Sequence, residues 1–180
     1  MNEIRISGEL KAEEVKKGIF LVLLHANRVP PHIGILIDNV YHSLTIKGQE
    51  LDIPGGVLLK NISLRKIPSV FIEIQKHPVF SSQHLGEAFA EQVKQFDRVN
   101  AAGNTCLSPV RLFFGEFYAL DGSKIDLVFD LLEQLERNRF GIRALGAHLG
   151  TTKQNIFYLQ PYKRQDLDKQ IEEELSRLKK

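Results

Sequence analysis

The only cysteine of the chain, Cys106, stands immediately before LSPVRLFFGEFYAL, an apolar stretch of helical period. A thiol attacks carbon as the thiolate, and the free amides and partial positive charge at a helix N-terminus favour that anion. An imidazole within reach would take the thiol proton and return it to a leaving group, while a third polar group would hold the imidazole in one tautomer. His32 and His42 are expected in these two roles, His32 as general base and His42 as its orienting partner. They lie in two segments joined by a tight turn, where cross-strand or diagonal side chains can meet. The chemistry would be acyl transfer through a thioester on Cys106. The same residues also have a plainer reading. A lone cysteine among Leu and Phe often serves as a small buried apolar group, and a strand histidine often just satisfies a hydrogen bond. His25, His77, His84 and His148 fall in that class. A metal site from His25, His32 and His42 would lack a carboxylate or second cysteine at a familiar spacing, so no metal and no cofactor is expected.

The elements that must position these residues follow from periodicity. GIFLVLL (18–24) is a short apolar run with the β-branched and aromatic content of a buried strand. HIGILI (32–37), the turn Asp38-Asn39 and VYHSLTI (40–46) read as a hairpin closed by the turn at Lys47-Gly48, and SVFIEIQ after Pro68 reads as a further strand. Beyond Pro78 the period lengthens. Leu85, Phe89, Val93 and Phe96 share one face of a helix from about Gln83 to Arg98, the loop VNAAGNT follows, and Cys106 heads the next helix. Pro109 is compatible with that first turn, whose amides have no intrahelical acceptor to lose. Asp121-Gly122 breaks the chain before a helix carrying Leu127, Leu131, Leu132 and Leu135, and DLDKQIEEELSRLKK reads as a charged amphipathic helix.

In PHIGILIDNVYHSLTIKG the sequence resembles the histidine-strand motif of NlpC-type papain-like cysteine peptidases, with His32 and His42 at the two polar positions. The cysteine follows these strands instead of preceding them, as in circularly permuted relatives that include bacterial papain-like amidases and the lecithin:retinol acyltransferase group. VKKGIFLVLL is similar to the strand before the histidine, and GGVLLKNISLRKIPSVFIEI to the return strand of the permuted branch. The resemblance covers about Leu10 to Leu120. It implies a catalytic set of Cys106, His32 and His42 and an amide or ester substrate, such as a cell-wall peptide, a lipid amide or a protein isopeptide. The expected fold is α+β, an antiparallel sheet of about five strands packed on helices. Residues 1–121 would form the catalytic domain and 122–180 a helical C-terminal region.

That region carries a second signal. In RALGAHLGTTKQNIFYLQ the residues Leu145, Gly146, Leu149, Gly150, Ile156 and Leu159 fall where a helix-turn-helix places its core and turn residues, and Thr151–Leu159 could then contact DNA. From 139 to 180 nine Lys or Arg stand against five Asp or Glu, a net +4. The alternative to a hydrolase is therefore a catalytically silent papain-like binding protein, or a DNA-binding regulator using this segment. Over the whole chain of 180 residues the net charge is only +2, which does not itself call for a polyanionic partner. The polar, acidic start MNEIRISGELKAEE is unlike a secretory signal, and no apolar run approaches the roughly 18 residues of a membrane span, so a cytoplasmic protein is expected.

Overall fold

A computed structural model describes residues 2–101, 103–150 and 155–178. Among these described residues the fold is α+β, with eight strands and five α-helices in the chain order β1 (Glu3–Glu9), β2 (Ile19–Leu24), β3 (His32–Ile37), β4 (Val40–Thr45), β5 (Gly48–Pro54), α1 (Gly55–Arg65), β6 (Ser69–Ile74), α2 (Ser82–Lys94), α3 (Leu107–Tyr118), α4 (Val128–Arg137), β7 (Gly141–Ala147), β8 (Ile156–Tyr158) and α5 (Arg164–Leu178). All strands join one mixed sheet in the order β5-β4-β3-β2-β6-β7-β1-β8. Neighbours are antiparallel except β1 and β7, which run parallel.

β2 is apolar at every position because both of its faces are covered. Ile19, Leu21 and Leu23 join the larger core with Phe89 of α2, Phe113 and Phe114 of α3, and Leu131 of α4. Phe20 and Val22 join a smaller core with Leu36, Tyr41, Phe71 and Leu145, under Leu58 and Ile62 of α1. The β3–β4 hairpin closes on Asp38 and Asn39, with φ of 44° and 69°, the left-handed pair a two-residue hairpin turn needs. Asp38 Oδ1 accepts the Gly18 amide at 2.9 Å and ties the turn to the start of β2.

Several expectations are corrected. Among the described residues the sheet has eight strands where about five were expected. VLLKNISL, read by resemblance as part of a return strand, lies in helix α1. RALGA, placed in the first helix of a helix-turn-helix, is strand β7, held between β6 and β1. Leu145 and Gly146 are neighbours on opposite faces of β7 and both are buried because both faces are covered, a run of apolar residues that fits a short strand as well as a helix. Tyr158 and its neighbours form β8, so the recognition helix expected over Thr151–Leu159 is absent from the described part; residues 151–154 lie outside the described residues. The segment after Asp121-Gly122 thus contributes two strands as well as two helices, and β7 is an inner strand of the same sheet that carries His32. Among the described residues no helix is long and apolar enough to cross a membrane.

Candidate functional site

His32 is the first residue of β3, paired with Leu24 of β2. The two-residue turn pairs residues of opposite parity across the hairpin: Gly34 with Ser43, Ile35 with His42, Leu36 with Tyr41. His32 therefore shares the α1 face of the sheet with Gly34, Leu36, Tyr41 and Ser43, and His42 faces the other side. The expected role of His42 as orienter of His32 is overturned by this register. His42 is 3% exposed, meets Phe89 edge-on at 6.2 Å and accepts the Asp52 amide on Nδ1 at 3.1 Å. That amide is available because β5 bulges opposite His42 and Asp52 takes a φ of 55°. Desolvation holds the His42 imidazole below its ordinary value, with Asp52 opposing and Lys94 reinforcing. His42 is a buried, neutral structural histidine.

The group that orients His32 is Ser43. His32 Nε2 lies 3.1 Å from Ser43 Oγ, and Ser43 Oγ donates to Glu50 Oε2 at 2.7 Å. The bulge in β5 sets Glu50 directly opposite Ser43. Donor counting fixes the tautomer: the single hydroxyl proton of Ser43 is committed to the carboxylate, so Ser43 Oγ accepts from His32 Nε2–H, and Nδ1 keeps its lone pair. Burial lowers the His32 pKa below the ordinary 6.5, Glu50 and Glu174 raise it and His25 lowers it, burial being the largest effect. The Tyr41 ring lies across Gly34. A Cβ on Gly34 would stand 2.6 Å from Tyr41 Cε2 and Cζ, which is why glycine follows the histidine by two. The Tyr41 hydroxyl is buried beside Ser43 without a hydrogen bond of good geometry, and burial pushes its pKa up.

Cys106 comes to the same end of β3 from the opposite side, at the N-cap of α3. Thr105 and Ser108 shape that terminus: Thr105 Oγ1 accepts the Leu107 amide at 3.2 Å and Ser108 Oγ accepts the Thr105 amide at 2.9 Å. The thiol is half-buried and packs on the larger core. Amides of Ile33, Cys106 and Leu107 reach the sulfur and favour its anion, but burial outweighs them and pushes the thiol up to about 11. The depressed thiol pKa expected from the helix terminus alone is thereby corrected. The sulfur touches the backbone of Ile33, the residue next to His32, yet among the described residues no hydrogen bond joins the thiol to the His32 ring. The resting pair is a neutral thiol and a neutral imidazole.

Ser43 and Glu50 escaped the sequence reading. The turn Asp38-Asn39 carried the signal for Ser43, since a two-residue hairpin sets even-numbered His32 against odd-numbered partners. Two surface clefts, of about 520 Å³ beside Gln92 and Arg111 and about 420 Å³ beside Ser7 and His148, are lined by neither Cys106 nor His32. No group of three His, Cys, Asp or Glu side chains that could hold a metal ion occurs among the described residues. Comparison with known proteins gives no match of the sequence to a family model, none to a curated protein, and none of the fold to a solved structure.

Proposed function

We propose that the chain is a thiol acyl hydrolase of the permuted papain-like type, with Cys106 as nucleophile, His32 as general base and Ser43 with Glu50 as the groups that orient the base. The observation that carries the proposal is the relay from Glu50 through Ser43 to His32. It spends the Nε2 proton of His32 on a fixed acceptor and leaves Nδ1 as the basic nitrogen, while the Cys106 sulfur contacts the backbone of Ile33, the next residue of β3. In the reaction the thiol proton passes to His32 Nδ1 as Sγ bonds to the carbonyl carbon of an amide or ester. The proton then leaves on the amine or alcohol, giving a thioester, and a water molecule deprotonated by His32 releases the acid and restores the thiol. The amide of Cys106, at the start of α3, is the donor for the tetrahedral oxyanion. The imidazolium that forms midway is stabilised by the Glu50 carboxylate through Ser43, which is the service a carboxylate performs in a serine or cysteine triad. With a thiol pKa raised by burial, the base acts at the moment of attack rather than by holding a resting ion pair.

The substrate class follows the resemblance: a peptide, a lipid amide or a protein isopeptide. A second reading, a catalytically silent domain of the same type, is favoured by the raised thiol pKa and the missing Cys106–His32 hydrogen bond. An activated ester separates the two. The hydrolase releases alcohol in a reaction that requires Cys106 and His32, whereas the silent domain gives the same background rate in wild type and in Cys106→Ser.

A further inference from the structure

The cleft of about 520 Å³ opens between the end of α2, the middle of α3 and the turn at Gly122-Ser123, and its size lies within the roughly 300–1,000 Å³ of small-molecule sites. Two glycines keep it open. Gly115 adds no side chain to its wall, and Gly122 lets the stem of Arg111 lie close, since a Cβ there would stand 3.3 Å from Arg111 Cγ. Arg111 reaches Ile125 O with Nη1 at 3.5 Å and takes part in no ion pair among the described residues. Asp121, the acid that precedes Gly122, is engaged by Lys124 at 2.9 Å and by the Ser123 amide at 3.1 Å. The opposite charge of the cleft is Glu116, whose Oε2 accepts from Gln92 Nε2 at 2.7 Å. Gln92 is only 4% exposed, and this bond fixes its amide, because an ionised carboxylate takes only the NH2 end. Its Oε1 is left buried without a donor, an acceptor on a residue of the cleft wall. Arg111 and Glu116 thus line one cleft and do not pair with each other.

We infer that this cleft binds a zwitterionic dipeptide, its carboxylate on the Arg111 guanidinium and its ammonium on Glu116 and Gln92 Oε1. The lengths agree. Glu116 follows Arg111 by five positions, which is about 7.5 Å along a helix, and two extended residues span about 7 Å. A guanidinium takes a carboxylate in a two-bonded fork, and an ammonium brings three donors, enough for Glu116 and for the acceptor that Gln92 leaves open. The site stands apart from the thiol-hydrolase reading, since neither Cys106 nor His32 lines it.

An NMR titration of the full chain with alanylalanine tests it, in neutral solution where both ends of the peptide are charged. The Arg111 Nε–H and Gln92 side-chain amide signals are expected to shift together, to saturation and with one Kd. Capping either end, as in N-acetyl-alanylalanine or alanylalaninamide, should raise that Kd by about tenfold or more, the worth of one hydrogen-bonded charge. Arg111→Gln should bind alanylalanine and its amide alike while still preferring the free amine. Glu116→Gln should bind alanylalanine and its N-acetyl form alike while still preferring the free carboxylate. These crossed losses report the two charge contacts, because damage to the fold would lower both preferences together. Signals that stay in place or drift without saturation overturn the inference, and so does equal affinity of wild type for the free and both capped peptides. Acyl transfer by Cys106 is untouched by either result, because the cleft does not use the thiol.

Discussion

Two histidines of one hairpin carry different loads. In the proposed mechanism His32 acts through Nδ1, so His32→Ala should lower acyl transfer by about 10²–10⁴-fold, the usual worth of a general base, with little change in the unfolding midpoint. Ser43→Ala and Glu50→Gln leave the base in place but free its tautomer, so each should lower kcat by a smaller factor with KM nearly unchanged, and both together should cost little more than one. His42→Ala should do the reverse, leaving catalysis near wild type and lowering stability, because the Asp52 amide loses its buried acceptor. pH separates them as well. The folded His42 pKa is depressed, so the unfolded chain takes up a proton first; this contribution to stability is intact above about 6.5 and is lost as pH falls through the folded value. Denaturant titrations from pH 7 down to 5 should show this loss in wild type and less of it in His42→Ala. The His32 pKa is also lowered, so kcat/KM should hold below pH 6.5 and fall only in more acid solution. Cys106 alkylation should climb through the alkaline range toward an inflection near 11; a plateau reached by pH 6 would reveal a resting thiolate–imidazolium pair and contradict the burial of the thiol.

At the scale of elements, the β3–β4 hairpin makes the site, and it was only half readable. The strands, the turn and the helix headed by Cys106 stand out in the sequence because short apolar runs and paired turn residues report local structure directly. The faces were readable too, since a two-residue turn sets His32 opposite odd-numbered residues and so points to Ser43 and away from His42. Glu50 was not readable, because its place depends on a bulge whose cause is the left-handed Asp52, a feature of backbone geometry that no periodicity displays. The glycine of the His-Ile-Gly motif has a packing reason that only the folded hairpin shows. Gly34→Ala would force the Tyr41 ring off the strand at a cost of about 1–3 kcal/mol, and in a chain of this size each kcal/mol lowers Tm by about 2–4 °C. A thermal melt of this variant at the wild-type Tm would mean that the ring can move away freely.

Across the whole molecule, the break at Asp121-Gly122 marks a loop inside the sheet's sequence of strands, not the edge of a separable layer. β7 joins β6 to β1, and Arg143 on it binds Glu73 of β6 at 2.6 Å and Glu14 at 2.8 Å. A chain cut after Asp121 would leave β1 without either neighbour and expose the inner edge of β6, so this fragment should lack a cooperative unfolding transition. Residues 122–180, expected as a helical C-terminal region, thus supply part of the sheet. It was hidden from the sequence because a three-residue strand and a small-residue strand such as GIRALGA give little periodic signal, and parallel pairing with β1 is a contact between distant ends of the chain. The central claim, that Cys106 attacks with the help of His32, is tested most directly by intact-mass measurement of the full chain after brief exposure to p-nitrophenyl acetate at pH 7.5. One acetyl group should appear on Cys106 in wild type, none in Cys106→Ser, and the rate of its appearance should fall at least about 10²-fold in His32→Ala. Acetylation of His32→Ala at the wild-type rate would contradict the account.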